Sequence, residues 1–256
     1  RLQALVGAER VAPLRYRVIV LPGSGCAGLG PLAERYFAGL LHARVWVLHK
    51  PGVHPGDRTP PGDCPAAFVQ ADALSDWQAH ALAAVRTLVH EEGAAVPTVL
   101  VGISEGAELL PALAREVPLL AGLVLLSSSG LDPHEAGRLQ ARRIGALPEW
   151  EALGRAQASA APDSMVLQGR SLRYWRDLWR WPLAQPLIDS PWPLLQVWGE
   201  ADALVPVEAY RRFAERAGVR AAAYCVHRFP GADHGLQAGG RDGVQWLWAR
   251  LEQWGR

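Results

Sequence analysis

The chain has 256 residues, half of them hydrophobic, and its 26 basic and 25 acidic side chains leave a formal net charge of +1. That much apolar material can bury one sizeable core, and single α/β domains of this length are common. The balanced charge leaves no electrostatic footprint for nucleic acid or an anionic membrane, and no apolar run reaches the roughly 18 to 20 residues that span a bilayer, so we expect neither nucleic-acid binding nor stable membrane insertion.

Short apolar strands alternate with amphipathic helices along the chain. Apolar runs bounded by glycine, proline or serine predict buried strands at residues 16–21, 44–49, 98–103, 122–127, 194–198 and 223–229. Apolar residues three or four apart predict helices at 29–41, 75–91, 105–115, 208–217 and 241–253. Residues 1–15 could add an antiparallel edge strand. The alternation predicts an α/β fold, with a mainly parallel sheet and helices on both faces.

One segment, 131–189, breaks this alternation. No strand pattern is evident there, whereas helices are predicted at 138–147 and 172–181. A long insertion between core strands is more typical of a lid than of a loop, so we expect a core of residues 1–130 and 190–256 and a helical cap at 131–189. The second predicted helix places its tryptophans on one face and its arginines on another. The tryptophans could pack on the core, or they could wall a pocket in which an arginine meets an anionic substrate.

The three cysteines, Cys26, Cys64 and Cys225, have no spacing typical of a metal site or of a disulfide framework. Cys26 and Cys64 each follow a predicted strand. A disulfide could join them if the protein is exported, and free thiols are the alternative. The chain begins at Arg1 without an initiator methionine, which a cleaved signal peptide or a trimmed start would explain equally well. The compartment, cytoplasmic or exported, is left open.

A Gly-Ile-Ser-Glu-Gly pentapeptide at residues 102–106 joins a predicted strand to a predicted helix. This context is the one that a G-x-S-x-G nucleophile motif requires. Side chains at Gly102 and Gly106 would collide with neighbouring backbone, and a serine at such a turn sits in strained φ/ψ space. The context predicts that Ser104 is a nucleophile rather than a solvated serine in a glycine-rich turn.

With this motif, the chain resembles the α/β-hydrolase family over essentially its whole length. In that family the nucleophile is followed along the chain by an acid and then by a histidine. Asp202 lies in a stretch at 199–206 that is similar to the family's G-x-x-D-x-x-V-P loop, and His234 lies in the loop after the last predicted strand. The resemblance implies a catalytic triad in which His234 takes the proton of Ser104 and Asp202 orients the imidazole.

Other acids and histidines compete for these two roles. Asp132 follows the strand after the nucleophile, where some family members carry the acid, although the loop match favours the later aspartate. His227 lies on the last strand and is interpreted as a packing or edge residue. His49 could line the pocket, but a structural or surface role is favoured. Asp233 adjoins His234 and would point elsewhere on a tight loop.

The glycine-rich stretch at residues 22–28 follows the first core strand and is similar to the family's oxyanion loop, with Pro22 where a histidine is more usual. The resemblance implies an oxyanion hole formed by the backbone amides of Glu105 and of Ser24, with Gly25 as the alternative to Ser24. The stretch also fits the dinucleotide motif G-x-G-x-x-G. A lone match is weak, and no acidic residue closes the next strand to hold a ribose, so we expect no nucleotide cofactor. Since the cysteines have no metal-site spacing, we expect no metal either.

Together these features predict a serine hydrolase that cleaves an ester, thioester or amide of a small acyl substrate through an acyl-serine intermediate. A carboxylic ester is the favoured substrate, and peptidase activity lies within the family's range. Two other classes stay open. One is a non-catalytic binding protein that has kept the fold, and the other is a nucleotide-dependent α/β enzyme. No feature identifies the acyl group, the leaving group or the oligomeric state.

Overall fold

The computed structural model of the protein describes residues 2–92 and 96–254. Its strands are β1 Ala4–Gly7, β2 Tyr16–Leu21, β3 Ala43–Leu48, β4 Thr98–Ile103, β5 Leu120–Leu126, β6 Val166–Leu167, β7 Arg170–Ser171, β8 Leu194–Gly199, β9 Tyr224–Phe229, β10 Gln237–Ala238 and β11 Arg241–Asp242. The pairs β6–β7 and β10–β11 are two-residue hairpins, and the other seven strands form one sheet in the order β1-β3-β2-β4-β5-β8-β9.

The sheet is mainly parallel, as the alternation of elements predicts. Strand β1 pairs antiparallel with β3, and the other neighbouring strands pair parallel. The six predicted core strands are confirmed, and the predicted edge strand is β1. Because parallel strands end at the same edge of a sheet, the loops that follow β2, β4, β8 and β9 all open at one edge, where ligands bind in open α/β sheets.

The α-helices are α1 Ala33–Tyr36, α2 Ala66–Ala71, α3 Leu74–Glu92, α4 Leu110–Ala114, α5 Pro133–Arg143, α6 Leu147–Ala158, α7 Leu172–Arg180, α8 Ala184–Asp189, α9 Val207–Ala217 and α10 Gly243–Trp254. They cover both faces of the sheet. Ile19 of β2 belongs to an apolar core that includes Trp77 of α3, whereas its neighbour Val18 belongs to a second core that includes Trp248 of α10. Successive strand side chains point to opposite faces, so each face of β2 is buried by a different helix layer.

The helix predicted at 105–115 is wrong in its first half. Residues Ser104–Leu109 form a 3₁₀ helix, and α4 begins only at Leu110. Pro111 supplies the reason, because it has no amide proton to donate to the carbonyl of Ala107, as an α-helix would require. The amide of Leu110 donates to that carbonyl instead, which closes the tighter turn.

The segment between β5 and β8 holds α5 to α8 and the β6–β7 hairpin, and we call it the insertion. The helix predicted at 138–147 is wrong in its bounds, since α5 starts earlier and ends at Arg143. Gly145 then takes a φ of +75°, the left-handed conformation that terminates helices. The hairpin was not predicted, because two-residue strands carry no alternating pattern.

A disulfide joins Cys26 and Cys64, with their Cα atoms 5.8 Å apart, and Cys225 is an exposed free thiol. The bridge connects the glycine-rich loop after β2 to the segment that precedes α2. Val53 and Phe68 are buried against Cys26. Among the helices of residues 2–92 and 96–254, none is both long enough and apolar enough to cross a membrane.

Candidate active site

Ser104 directly follows β4, at a strained turn. Its φ is +50°, in the left-handed region that non-glycine residues rarely adopt. A Cβ at Gly102 would lie 2.3 Å from the Cα of Ala107, and one at Gly106 would lie 2.1 Å from the carbonyl oxygen of Leu21. Both glycines are therefore sterically required. The turn leaves Ser104 partly exposed at the edge where the strands end.

The glycine-rich loop after β2 lies beside this turn, because β2 is the parallel neighbour of β4. A Cβ on Gly23 would lie 3.5 Å from the Cβ of Ser104, in ordinary van der Waals contact. Ser24 is exposed and lines the same cavity as Ser104. Gly25 has a φ of +101°, which a side chain would disfavour. The loop thus passes its backbone close to the serine.

Asp202 and His234, predicted as partners, are in contact. Asp202 is buried, and its Oδ2 accepts a hydrogen bond of 2.8 Å from Nδ1 of His234 and one of 2.9 Å from the hydroxyl of Tyr210. Its Oδ1 accepts from the amides of Leu204 and Val205. Burial acts to raise the pKa of Asp202, but the bonds from His234 and from these amides outweigh it and hold the pKa below its usual range. Asp202 therefore stays ionised beside the imidazole.

A serine that the sequence did not single out holds the histidine loop in place. Ser127 follows β5, the strand between β4 and β8, and its buried hydroxyl donates a 2.6 Å hydrogen bond to the carbonyl oxygen of His234. Its φ of +53° is also left-handed. Ser127 lines the same cavity as Ser104. The loop that carries His234 is thus tied to the strand next to the one that ends in the candidate nucleophile.

The rival acid Asp132 has other partners. Its Oδ1 accepts hydrogen bonds from the amides of Leu183 and Ala184, at 2.7 and 2.9 Å. These bonds satisfy amides at the start of α8, so Asp132 connects the two ends of the insertion. In the part of the chain that the structure describes, Asp202 is the carboxylate bonded to the ring of His234.

The remaining candidates also have structural surroundings. His49 is fully buried, and its Nε2 accepts from the amide of Leu29, while burial lowers its pKa and keeps the ring neutral. His227 lies in β9 and stacks on Trp246 with ring centroids 3.7 Å apart. Asp233 accepts a backbone hydrogen bond within its own loop. These contacts account for the three residues without a catalytic role.

A cavity of about 330 Å³ opens next to Ser104, between the serine turn and the insertion. Its floor comes from the residues around Ser104 and from the serines after β5. Its walls come from the insertion and include Trp150, Arg170, Tyr174 and Trp175. Glu108, in the 3₁₀ helix after Ser104, also lines it. The insertion therefore covers the candidate nucleophile and forms much of the surface that a substrate would meet.

A buried charge network, which the sequence did not reveal, lies beneath this cavity. Nζ of Lys50 is 2.9 Å from Oδ1 of Asp72 and 2.6 Å from Oε2 of Glu105, and all three side chains are almost completely buried. Arg170 pairs with Asp72, and the hydroxyl of Tyr174 donates to Glu105. Burial acts to raise the pKa of Glu105, but the nearby cations, Lys50 first, hold it below its usual range. The network connects Glu105, the residue after Ser104, to Arg170 and Tyr174 of the insertion.

One sequence signal could have pointed to this network. Lys50 is the only lysine among 26 basic residues, and it lies two residues after a core strand. Its partners lie 22 and 55 positions further along the chain, so no local pattern relates them. Among residues 2–92 and 96–254, no cluster of three or more histidine, cysteine, aspartate or glutamate side chains could hold a metal ion.

Replacing Lys50 with methionine is expected to lower the free energy of unfolding by about 3–5 kcal/mol, because it leaves two buried carboxylates without their shared cation. Urea denaturation followed by tryptophan fluorescence measures the change. Arg86→Met is the matched control, because it breaks only the exposed ion pair with Glu116. Its urea midpoint should be indistinguishable from that of the parent. Equal midpoints for Lys50→Met and the parent would contradict the structural role of the network.

Comparison with known proteins identifies the family of this chain. Residues 18–242 match the sequence profile of the Alpha/beta hydrolase family. Among curated proteins, none matches the chain significantly in sequence.

Solved structures resemble the fold over nearly its whole length. Est1E from Butyrivibrio proteoclasticus, solved with ferulic acid bound, has a TM-score of 0.65 at 17% identity, covering 100% of this chain and 96% of its own. Alpha/beta hydrolase domain-containing protein 10 from mouse has a TM-score of 0.63 at 16% identity, with coverage of 99% and 93%. A monoacylglycerol lipase from Paleococcus ferrophilus has a TM-score of 0.58 at 16% identity, with coverage of 100% and 98%. At these identities, the likeness is one of fold.

Proposed function

The chain belongs to the alpha/beta hydrolase family, and from that premise we propose that it is a serine hydrolase that cleaves carboxylic esters through an acyl-Ser104 intermediate. One observation carries the proposal. The strained, partly exposed Ser104 turn and the hydrogen-bonded Asp202–His234 pair belong to loops that open at the same edge of the sheet. Nucleophile, base and orienting acid are the three groups that acyl transfer to serine requires.

In the proposed reaction, His234 removes the proton from the hydroxyl of Ser104 as that oxygen attacks the ester carbonyl. Asp202 bonds Nδ1, which leaves Nε2 as the acceptor and stabilises the imidazolium that forms. The same imidazolium then gives its proton to the departing alcohol. Water, activated by His234 in the same way, hydrolyses the acyl-serine and regenerates the enzyme.

Backbone amides are proposed to stabilise the oxyanion that develops on the carbonyl oxygen. The amide of Glu105 follows the nucleophile in the 3₁₀ helix, and the Glu105 side chain is anchored by Lys50 and Tyr174. The second donor is assigned to Ser24, with Gly25 as the alternative, in the loop that passes beside Ser104. Anchored amides are effective because they need little reorganisation as charge develops.

The insertion is proposed to act as a lid that shapes the substrate cavity. Residues from α5, α6 and α7 line the cavity together with Ser104. The tryptophans of α7 contact other aromatic side chains of the insertion, and Arg176 bonds to Asp163 and to three backbone carbonyls, so these groups hold the insertion together. Arg170, from the hairpin, is the arginine that reaches the cavity.

A fluorophosphonate probe tests the function directly, because it labels only a serine activated for acyl transfer. We expect the folded protein to be labelled at Ser104, as located by peptide mass spectrometry, and to hydrolyse a panel of p-nitrophenyl esters that differ in acyl length. Heat-denatured protein is the control and should not be labelled. A folded protein that is neither labelled nor active on any ester would favour the alternative, a non-catalytic binding protein with the same fold.

A further inference from the structure

Glu108 is the feature of the cavity that the proposed reaction does not use. It lies four residues beyond Ser104 in the same 3₁₀ helix and lines the cavity. Its Oε2 is buried and has no hydrogen-bond partner within the part of the chain described. An unpartnered buried carboxyl oxygen is costly unless something satisfies it. Because the terminal torsion of glutamate is broad, the carboxyl group can turn either oxygen toward a bound molecule.

The charges around Glu108 show which kind of molecule would suit it. Burial, and then the neighbouring carboxylate of Glu105, raise the pKa of Glu108 well above its usual range and so favour its uncharged acid form. Such a group offers an O–H donor and a C=O acceptor together. A hydroxyl group is small and uncharged, and it both accepts and donates hydrogen bonds. A substrate hydroxyl would therefore match both the O–H donor and the C=O acceptor of Glu108.

Charged substrates suit the site less well. Lys50 and Arg170 already act on Glu108 as cations, so a substrate ammonium would meet two like charges. A substrate carboxylate would meet Glu105 and Asp72, which already occupy these two cations as ion pairs. The two cations and the two carboxylates balance in charge, which leaves a neutral polar end to the cavity.

The walls next to this polar end are aromatic. Trp150 stands edge-on to Trp175, with ring centroids 6.3 Å apart, and stacks on Trp179 at 4.6 Å. A Cβ on Gly137 would lie 2.4 Å from Cη2 of Trp150, so the missing side chain makes room for the indole. The buried Nε1 of Trp150 also has no hydrogen-bond partner among the residues described. Flat, rigid aromatic walls favour a planar ring, which packs against them with little loss of conformational entropy.

We propose that this cavity selects a substrate with an uncharged hydroxylated aromatic group, whose hydroxyl hydrogen-bonds to Glu108 while its ring packs against Trp150 and Trp175. The proposal rests on the proposed function and adds the substrate class to it. Glu108 is then a residue that determines specificity. Its backbone carbonyl accepts from the indole of Trp181, which anchors it to the insertion.

Matched ester pairs that differ by one hydroxyl test the proposal. One pair is the methyl ester of para-hydroxyphenylpropanoic acid and that of phenylpropanoic acid, which places the ring in the acyl group. The other is para-hydroxybenzyl acetate and benzyl acetate, which places it in the alcohol. We expect the parent protein to prefer the hydroxylated member of at least one pair by about tenfold in kcat/KM, as one buried hydrogen bond allows.

Two substitutions distinguish an uncharged Glu108 from an ionised one and from a side chain that only fills space. Glu108→Gln keeps an uncharged donor and acceptor and should retain the preference for the hydroxylated ester. Glu108→Leu should abolish it, so that the two esters have about equal kcat/KM. Glu149→Leu, which changes an exposed glutamate next to Trp150, is the control and should keep the ratio of the parent. Equal ratios in the parent and in Glu108→Leu for both pairs would overturn the proposal. So would loss of the preference in Glu108→Gln, since that would require an ionised carboxylate.

A binding measurement keeps this test separate from catalysis. The primary amides of the same two propanoic acids are poor substrates, and calorimetry can measure their affinity for the Ser104→Ala protein. We expect the hydroxylated amide to bind about tenfold more tightly, and Glu108→Leu to remove the difference. If no ester is hydrolysed but this difference is present, the proposed function is wrong and the pocket assignment stands. If esters are hydrolysed but neither the amides nor either ester pair shows a difference, the pocket assignment is wrong.

Discussion

Replacing Ser104 with alanine is expected to lower kcat for p-nitrophenyl ester hydrolysis by at least about 10⁴-fold. The change removes one oxygen, and with it the only atom that can form the acyl intermediate in the proposed mechanism. The fold should be preserved, because the left-handed φ of +50° at this turn is about equally unfavourable for alanine and for serine. Initial rates measure the loss, and far-ultraviolet circular dichroism with a thermal melt checks the fold.

An exposed serine supplies the control for this experiment. Ser164→Ala, in the insertion, makes the same chemical change away from the cavity and should keep the rate of the parent. The Ser104→Ala protein should also lose fluorophosphonate labelling. A variant that retained more than about a tenth of the parent activity would place the nucleophile elsewhere and would remove the basis for the acyl-Ser104 mechanism.

Asp202→Asn is expected to lower kcat by about 10⁴-fold, the scale known for the acid of a serine triad. The amide is nearly the same shape as the carboxylate, but it can donate to Nδ1 of His234 and so favour the wrong tautomer. It also loses the charge that stabilises the imidazolium. The two backbone amides keep an acceptor oxygen, and the hydroxyl of Tyr210 can accept from the new amide nitrogen instead of donating, so the loop should remain folded. Rates at saturating ester, compared with the parent, measure the effect.

Asp132→Asn is the matched control, because it makes the same substitution at the rival acid. Asp132 accepts from two amides at the start of α8, a role that an asparagine oxygen can retain. We expect its kcat to stay within about tenfold of the parent. If Asp132→Asn proved the damaging change and Asp202→Asn the mild one, the assignment of the triad acid would have to be exchanged.

The positions of the core strands could be predicted from the sequence because each has a local cause. A buried parallel strand needs a short apolar run, and glycine or proline must stop it, so each strand carries its own signal. The motif around Ser104 is local in the same way, since its residues lie within five positions, although Gly106 makes room for the carbonyl of Leu21 on the neighbouring strand. The α/β fold predicted from these elements is confirmed, and so is the resemblance to the α/β-hydrolase family that the motifs carry.

Helix bounds were harder to predict, because each one depended on the backbone of a single residue. Apolar spacing marks 105–115 as one helix, yet Pro111 removes the amide that would have bonded to Ala107. In the same way, Gly145 ends α5 where the apolar pattern continues. The periodicity reports which side chains are buried, whereas the ends depend on which hydrogen bonds the backbone can make.

The sequence by itself therefore determined the parallel sheet, the strained serine turn, and the order of candidate nucleophile, acid and histidine. It left open the Cys26–Cys64 bridge, and it contained no pattern for the network around Lys50 or for the unpartnered carboxyl of Glu108. Only the tertiary structure decided these features, because their members lie on different elements and meet after the sheet and the insertion have packed. Charges far apart along the chain acquire shifted pKa values only when packing excludes water from around them.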